Sequence, residues 1–537
     1  MDALTLQQVR REYIPVLPEI FRSLSELVFH AVHNPSTQPE IQKLFPLTSG
    51  FSVLKGGKNA HKRSPKPLKV GVVFSGGQAA GGHNVISGMY DALKSLNPHS
   101  QLLGFIDGPA GVVSGKYKEL TDALIDPYRN QGGFDLIGSG RTKIETEEQF
   151  SASLQWVRSL KLDGLVIIGG DDSHTNAAYL AEYFLKNACP VKVLGVPKTI
   201  DGDLKNPYVA TSFGFDTACK TYSEMIGNIA RDVLSAKKYY HFIRLMGRSA
   251  SHIALECALS TQPNFTCIGE EIAAKKKTWD QTVLAIADMI CRRAELGKHY
   301  GIILVPEGLI EFIPEISSLI KELNGLLAAS FPIPPQDIQA KLTPPSRACY
   351  SSLPEDIQKQ LLLHRDPHGN VQVSFIETEK LLMQLVEKEL FSRQSKGSYN
   401  GKFNAVHHFF GYEGRAGFPS NFDSNYCYAL GYTAALLVDN GLTGYMCSIQ
   451  NLSLHPSEWQ VGAVPLTSLM NMEMRKGKER PVVQKALLDL NSKAFAHFSR
   501  HREEWAIDDT YLYPGPIQFF GPSALCDTVP HTLVLEK

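Results

Sequence analysis

From residue 68 onward, short apolar runs recur with helical patterns between them: Lys69 to Ser75, Leu102 to Asp107, Gly164 to Ile168, Val191 to Val196, Tyr240 to Met246, Thr266 to Gly269 and Tyr300 to Val305. Several are continuous rather than alternating, which is the pattern of a strand buried on both faces of a parallel sheet. The spacing predicts an α/β chain: two Rossmann-like three-layer domains with mostly parallel sheets. Two neighbouring runs end in unusual chemistry. Leu165-Val166-Ile167-Ile168 stops at Gly169-Gly170-Asp171-Asp172-Ser173, and the next run leads into Pro197-Lys198-Thr199-Ile200-Asp201-Gly202-Asp203. Glycines let the backbone turn closely around a ligand, and the carboxylates suit a hard cation and proton transfer, so a phosphoryl-transfer site is expected here. The alternative is that Asp172 and Ser173 cap a helix starting near His174 while Asp201 and Asp203 lie in a polar turn.

The 537 residues suggest roughly three to four domains. Residues 1–67 read as a helical extension, Thr5 to Phe29, and a connector, Ser49 to Pro67. Residues 68–237 and 238–310 form two α/β domains. A helical insertion spans 311–400, broken at Phe331-Pro332-Ile333-Pro334-Pro335 and Thr343-Pro344-Pro345. Residues 401–455 return to the α/β domains, and 456–537 form a weakly patterned C-terminal segment. A formal net charge of zero gives no bulk electrostatic argument for nucleic acid or an anionic membrane. Met1-Asp2-Ala3-Leu4-Thr5 does not have the form of a secretory signal, and no apolar stretch approaches membrane-spanning length, so a cytoplasmic enzyme is expected. Nine cysteines without a CxxC pair indicate neither a zinc ribbon nor a disulfide framework. The Asn264-Phe265-Thr266 and Asn451-Leu452-Ser453 sequons are expected to carry no sugar.

The first apolar run ends in Ser75-Gly76-Gly77-Gln78-Ala79-Ala80-Gly81-Gly82-His83-Asn84, a glycine-rich turn entering a helix. Amides at such a helix start attract phosphate, although tight packing alone also calls for these glycines. Gly76 and Gly81 have the GxxxxG spacing, but Gly82-His83 stands where a Walker A loop needs Lys-Ser or Lys-Thr, which argues against a P-loop ATPase. Arginines recur at Arg141, Arg244, Arg248 and Arg415, each able to grip phosphate or to pair with a carboxylate. Glu307, in Val305-Pro306-Glu307-Gly308, suits either sugar hydroxyls or one of these arginines. No nucleophile elbow, HExxH helix or dinucleotide GxGxxG is present, and adjacent His407 and His408 would point apart on a strand.

Taken together, these segments resemble the phosphofructokinase family, and within it the long pyrophosphate-dependent branch that includes the catalytic β subunit of the plant enzyme. The resemblance is carried by Gly76-Gly77-Gln78 with Gly81 to Asn84, Tyr128 to Asp135, Gly169 to Asp172, Pro197 to Asp203, Ser212 to Ala218, Met246-Gly247-Arg248, Pro306-Glu307-Gly308 and Gly411-Tyr412 through Arg415, in order. It implies Mg²⁺-dependent transfer from pyrophosphate to the 1-hydroxyl of fructose 6-phosphate, giving fructose 1,6-bisphosphate and phosphate. Asp201 would be the general base, and Thr199 and Ile200 would help hold the sugar. Asp171 would bind Mg²⁺, and Gly76, Gly77 and Arg141 would embrace the donor. Met246, Gly247, Arg248, Glu307, Tyr412 and Arg415 would contact the sugar phosphate. Lys238 and Tyr239 match a strip that reaches the neighbouring subunit's sugar phosphate, which implies a shared site and at least a dimer, with room for a second subunit type.

Donor choice turns on Asp172 and Lys198, which are typically glycines in ATP-dependent relatives. A carboxylate at 172 would fill and repel the space of the nucleotide's α-phosphate. Lys198 would stabilise the charge that develops on the bridging oxygen and transferred group. A regulatory copy would be expected to lose the base or the metal carboxylate, and both are present. The turn departs from the family at Ala80, where proline is common, with little effect expected.

Overall fold

The computed structural model describes residues 5–329, 335–363, 371–475 and 478–537. Met1 to Leu4 and the expected break at Phe331 to Pro334 lie outside them. The apolar runs form the centre of a nine-stranded sheet. Its strands are β1 (Leu27–His33), β2 (Val53–Lys58), β3 (Lys69–Phe74), β4 (Gln101–Phe105), β5 (Tyr117–Leu120), β6 (Gly164–Gly169), β7 (Lys192–Pro197) and, after a second sheet, β12 (Tyr445–Gln450) and β13 (Gln460–Pro465). Their order is β1-β2-β13-β12-β7-β6-β3-β4-β5. The pairs from β12 through β4 are parallel, and those at both edges are antiparallel. The second sheet contains β8 (Tyr240–Leu245), β9 (Phe265–Thr266), β10 (Gly301–Pro306) and β11 (Ala405–Phe410), ordered β11-β8-β10-β9 and parallel throughout. A separate hairpin joins β14 (Met470–Arg475) to β15 (Lys478–Val483).

Two expectations about the chain ends are corrected. The helical extension and connector assigned to residues 1–67 contain only short helical turns; their main contribution is β1 and β2, which extend the large sheet through β13. β1 is buried at Leu27 and open to solvent from His30 onward, so it lacks the continuous apolar pattern of the central strands. The segment after Pro456 is likewise structured, placing β13 between β2 and β12.

The stretch read as an insertion contains helices Pro314–Ala329, Pro344–Ser352, Glu355–Leu363 and Thr378–Ser395 among its elements. It covers one face of the second sheet, where Phe242, Ile303 and Val305 share a core with Ile316, Leu319, Leu323 and Leu382. Arg244 belongs to this junction. Its Nε lies 2.8 Å from Glu379 Oε2, both side chains are buried, and the guanidinium carbon sits 4.0 Å over the Phe409 ring. It therefore anchors the insertion and is not available as a phosphate grip. Asn264 of the first sequon is also buried, donating to Trp505 O and accepting from Ile302 N, so it offers no sugar attachment point.

The large domain is locked by an interlock of two helices, Gly82–Leu96 and Asn421–Asp439. A Cβ at Gly88 would stand 2.3 Å from Tyr428 O, and one at Gly431 would stand 2.3 Å from Val85 O. Neither backbone can retreat without moving a buried helix. Gly88→Ala is expected to cost about 3 kcal/mol, the upper part of the overpacking range, seen as a lowered midpoint in urea unfolding; a variant as stable as the parent would contradict this packing.

Candidate active site

Parallel strands present their carboxyl ends on one side, and the loops there form the ligand crevice of an open α/β sheet. Here the loops after β3, β6, β7, β8, β10 and β11 converge on one cleft between the two sheets. After β3 the chain turns at Gly76, whose φ of +89° favours glycine. A Cβ on Gly76 would meet Lys198 Nζ at 3.3 Å; one on Gly77 would meet Arg415 at 3.4 Å and Arg141 at 3.8 Å. The glycine turn is therefore roofed by three cations from three different loops. Arg141's loop is tied to the turn by Gly76 N donating to Gly140 O at 2.9 Å and Ser139 Oγ donating to Gly76 O at 2.6 Å.

The helix after β6 begins at Asp171, not near His174, and runs to Lys186 with Gly170 as its N-cap. Neither Asp172 nor Ser173 caps it: Ser173 Oγ donates to Ser75 Oγ at 2.8 Å, while Asp172 lies 3.1 Å from Lys143 Nζ. Asp171 sits in the first turn, where the positive end of the helix dipole favours a carboxylate. After β7, Lys198 is buried, its amide donating to Gly169 O at 2.9 Å. Burial pulls its ammonium down to about 8 against the attraction of Asp201 and Asp171, with Arg415 and Arg141 adding to the depression. Asp201 is half-buried, its amide donating to Thr199 Oγ1 at 3.1 Å, and Ser212 Oγ holds Thr199 O at 2.8 Å. Ile200 turns its side chain into the main core, so only its backbone faces a ligand. Asp203 is buried, and desolvation, followed by the charge of Asp201, pushes its carboxyl up.

The second sheet supplies the opposite wall. Glu307 is 1% exposed, accepts from Gly247 N at 3.0 Å through one oxygen, and has no protein partner at the other. A contact that neither sequence alternative for Glu307 foresaw, the Gly247 amide of the Met246-Gly247-Arg248 turn, thus takes one oxygen and leaves the other for a ligand. Burial weakens the Arg248 guanidinium, but Asp201, Glu307, Asp171 and Asp203 outweigh it and hold the charge. Tyr412 is 65% exposed with Arg415 4.7 Å over its ring, and Tyr222 fixes the loop by donating to Gly411 O at 2.6 Å. Lys238 and Tyr239 do not join this group. They are exposed at the other end of β8, seven and eight residues away from Met246, roughly 25 Å along the strand.

Two stretches of the motif set resolve into scaffolding. His83 is buried between Gln131 O and Leu136 N, Phe134 stacks on Phe74 at 3.9 Å, and Arg129 grips Asp91 with two bonds. Asp423 accepts from Gly214 N, Thr217 N and Thr217 Oγ1, capping helix Phe215–Ala236. Two site cations were not assigned from the sequence: Lys143, and Lys485 from the arm after β15, whose Nζ lies 3.6 Å from Asp171 and 3.9 Å from Asp203. A lone lysine in Val482-Val483-Gln484-Lys485-Ala486-Leu487 gives no local signal of this placement.

The family model for phosphofructokinase matches residues 69–438. The chain belongs to the phosphofructokinase family. Among similar proteins of this family, pyrophosphate--fructose 6-phosphate 1-phosphotransferase of Treponema pallidum is 51% identical over all of this chain and 98% of its own length. The β subunit of that enzyme from Solanum tuberosum is 53% identical over 99% of this chain and 94% of its own. In fold, the chain is similar to the crystal structure of pyrophosphate-dependent phosphofructokinase from Nitrosospira multiformis, with a TM-score of 0.56 at 17% identity, covering 86% of this chain and 96% of that one. No helix among the described residues is long and apolar enough to cross a membrane.

Proposed function

We propose that this phosphofructokinase is a pyrophosphate:fructose-6-phosphate 1-phosphotransferase, reversibly moving a phosphoryl group from pyrophosphate to the sugar's 1-hydroxyl. The observation that carries the reading is the juxtaposition of Lys198 with Gly76 at the donor turn, with Asp172 in the adjoining helix start. Asp201 takes the proton of the 1-hydroxyl, the freed oxygen attacks the terminal phosphorus in line, and the bridging P–O bond breaks to release phosphate. Lys198, Arg141 and Arg415 face the charge that grows on the transferred group and leaving oxygen. Arg248, Met246, Gly247, Glu307, Thr199 and Tyr412 hold fructose 6-phosphate, the free oxygen of Glu307 being available to a sugar hydroxyl.

The donor set suits magnesium. Asp171 offers hard oxygens beside the glycine turn, and a lysine ammonium already lies near both Asp171 and Asp203, so the place attracts a cation. Mg²⁺ is commonly held by one or two carboxylates plus substrate phosphates, and Asp171 would hold it in that manner. When bound, it would neutralise phosphate oxygens. Lys238 and Tyr239, exposed and far from their own cleft, are free to complete a neighbouring subunit's sugar site, which makes a homodimer or larger assembly the expected state.

Purified protein given Mg²⁺ and fructose 6-phosphate is expected to form fructose 1,6-bisphosphate with pyrophosphate and not with ATP. Turnover with ATP alone would overturn the reading, and silence with both would point to a non-catalytic subunit. Because Lys198 titrates near 8 in the free protein, its ammonium is present below that pH and lost above it. kcat/KM for pyrophosphate should therefore fall above pH 8, by about tenfold per unit at the limit. Lys198→Arg should move that limb upward; an unmoved limb would assign it to another group.

A further inference from the structure

The segment following β15 crosses the cleft as a strap. Val483 N donates to Thr175 Oγ1 at 2.9 Å, in the helix that begins with Asp171. Ala486 N donates to Asp203 O at 2.7 Å, and Ala486 O meets His252 Nε2 at 2.9 Å. Leu488 N donates to Glu270 Oε1 at 3.0 Å. The strap thus bonds to the donor domain, the catalytic loop and the sugar domain within six residues. Its backbone contacts fix one side chain over the cleft, that of Lys485, which is only 32% exposed. Lys485 Nζ donates to Ser249 Oγ at 2.8 Å and stays 3.6 Å from Asp171 and 3.9 Å from Asp203. Charge-assisted bonds to carboxylates normally close to about 2.7–2.9 Å. Tethered to Ser249, this ammonium compensates both carboxylates without consuming their lone pairs.

We propose that Lys485 is a positioning residue of the phosphoryl-transfer site, a fixed cation that holds Asp171 and Asp203 before metal and donor arrive and then faces the donor's oxygens. The C-terminal strap is on this view a part of the donor site. The proposal rests on the phosphotransferase reading and extends it to a segment outside the motifs that carry the family resemblance. Ser249 is the restraint that keeps the lysine from closing on the carboxylates and competing with a metal ion.

Opposite shifts in metal affinity test this. Mn²⁺ binding to the free protein, followed by electron paramagnetic resonance, should tighten about three- to tenfold in Lys485→Met, because a repelling cation beside Asp171 is removed. In Ser249→Ala it should weaken, because the released ammonium can approach Asp171. KM for pyrophosphate should rise about tenfold in Lys485→Met with a smaller change in KM for fructose 6-phosphate, and Lys485→Arg should restore both constants toward the parent. Leu487→Ala, on the same strap but exposed, should leave Mn²⁺ binding unchanged. Weakened Mn²⁺ binding in Lys485→Met, or an unchanged affinity together with an unchanged pyrophosphate KM, would overturn the proposal. If Lys485→Met does not fold, a tightened or unchanged affinity in Ser249→Ala does so instead. The Mn²⁺ titration needs no turnover, so a parent protein inactive with pyrophosphate would reject the phosphotransferase reading while the role of Lys485 was still measured.

Discussion

Asp201→Asn should lower kcat in the pyrophosphate reaction by about 10²–10⁴, the range attributed to a positioned proton acceptor. The substitution keeps size and shape, and the loop that carries it is held by contacts that do not involve the carboxylate. Asp201 N still donates to Thr199 Oγ1, Ser212 still holds Thr199 O, and Ala486 still binds Asp203 O. KM for both substrates should accordingly change little, which separates lost proton transfer from lost binding. The charge change has a second consequence. Asp201 is one of the groups that push the Asp203 carboxyl up and hold the Arg248 charge. Its removal therefore moves Asp203 back toward an ordinary carboxylate, and the residual activity should show a pH profile unlike that of the parent. Steady-state assays in both directions should fall together, because the same group returns the proton in reverse. A loss below tenfold, or a loss confined to KM, would remove Asp201 from the base role.

Replacing Asp172 and Lys198 together by glycine should lower kcat with pyrophosphate by about 10²–10³, close to the effect of deleting one electrostatic donor to a developing anion. Most of the loss is assigned to Lys198. It is buried, its ammonium stands over Gly76, and no other lysine takes that place among the described residues. Asp172 contributes differently. It is partly exposed and paired with Lys143 at 3.1 Å, so removing it frees a cation of the arginine loop and opens the space beside Asp171. Lys198→Gly alone should thus carry the kcat loss, while Asp172→Gly alone should mainly relax discrimination against ATP. Urea unfolding of each variant checks that the changes are local. Full pyrophosphate activity in the double variant would refute this account of donor choice.

Legibility differed between parts of the chain for physical reasons. The central strands announced themselves because both faces are covered, which forces continuous apolar runs such as Leu165 to Ile168. The edge strand β1 and its neighbour β2 did not, because both are buried only at their first residues and open to solvent along much of the rest, so neither needs a continuous apolar run. The loops at the strand ends were readable because glycines, carboxylates and lysine are packed within a few residues of Gly76, Asp171 and Lys198. Arg244 misled: a basic residue in a strand beside Met246 offers the same sequence signal whether it faces a phosphate or, as here, buried Glu379.

By itself, then, the amino-acid sequence determined the α/β class, the strand-end motifs and the family, all properties of local composition and period. Only tertiary structure decided that Lys143 pairs with Asp172, that Glu307 holds the Gly247 amide, that the N-terminal residues finish the large sheet, and that Lys485 reaches Asp171 from more than 300 positions away. The reason is that Coulomb and hydrogen-bond partners are chosen by distance in space, which chain topology sets and which no window along the sequence contains.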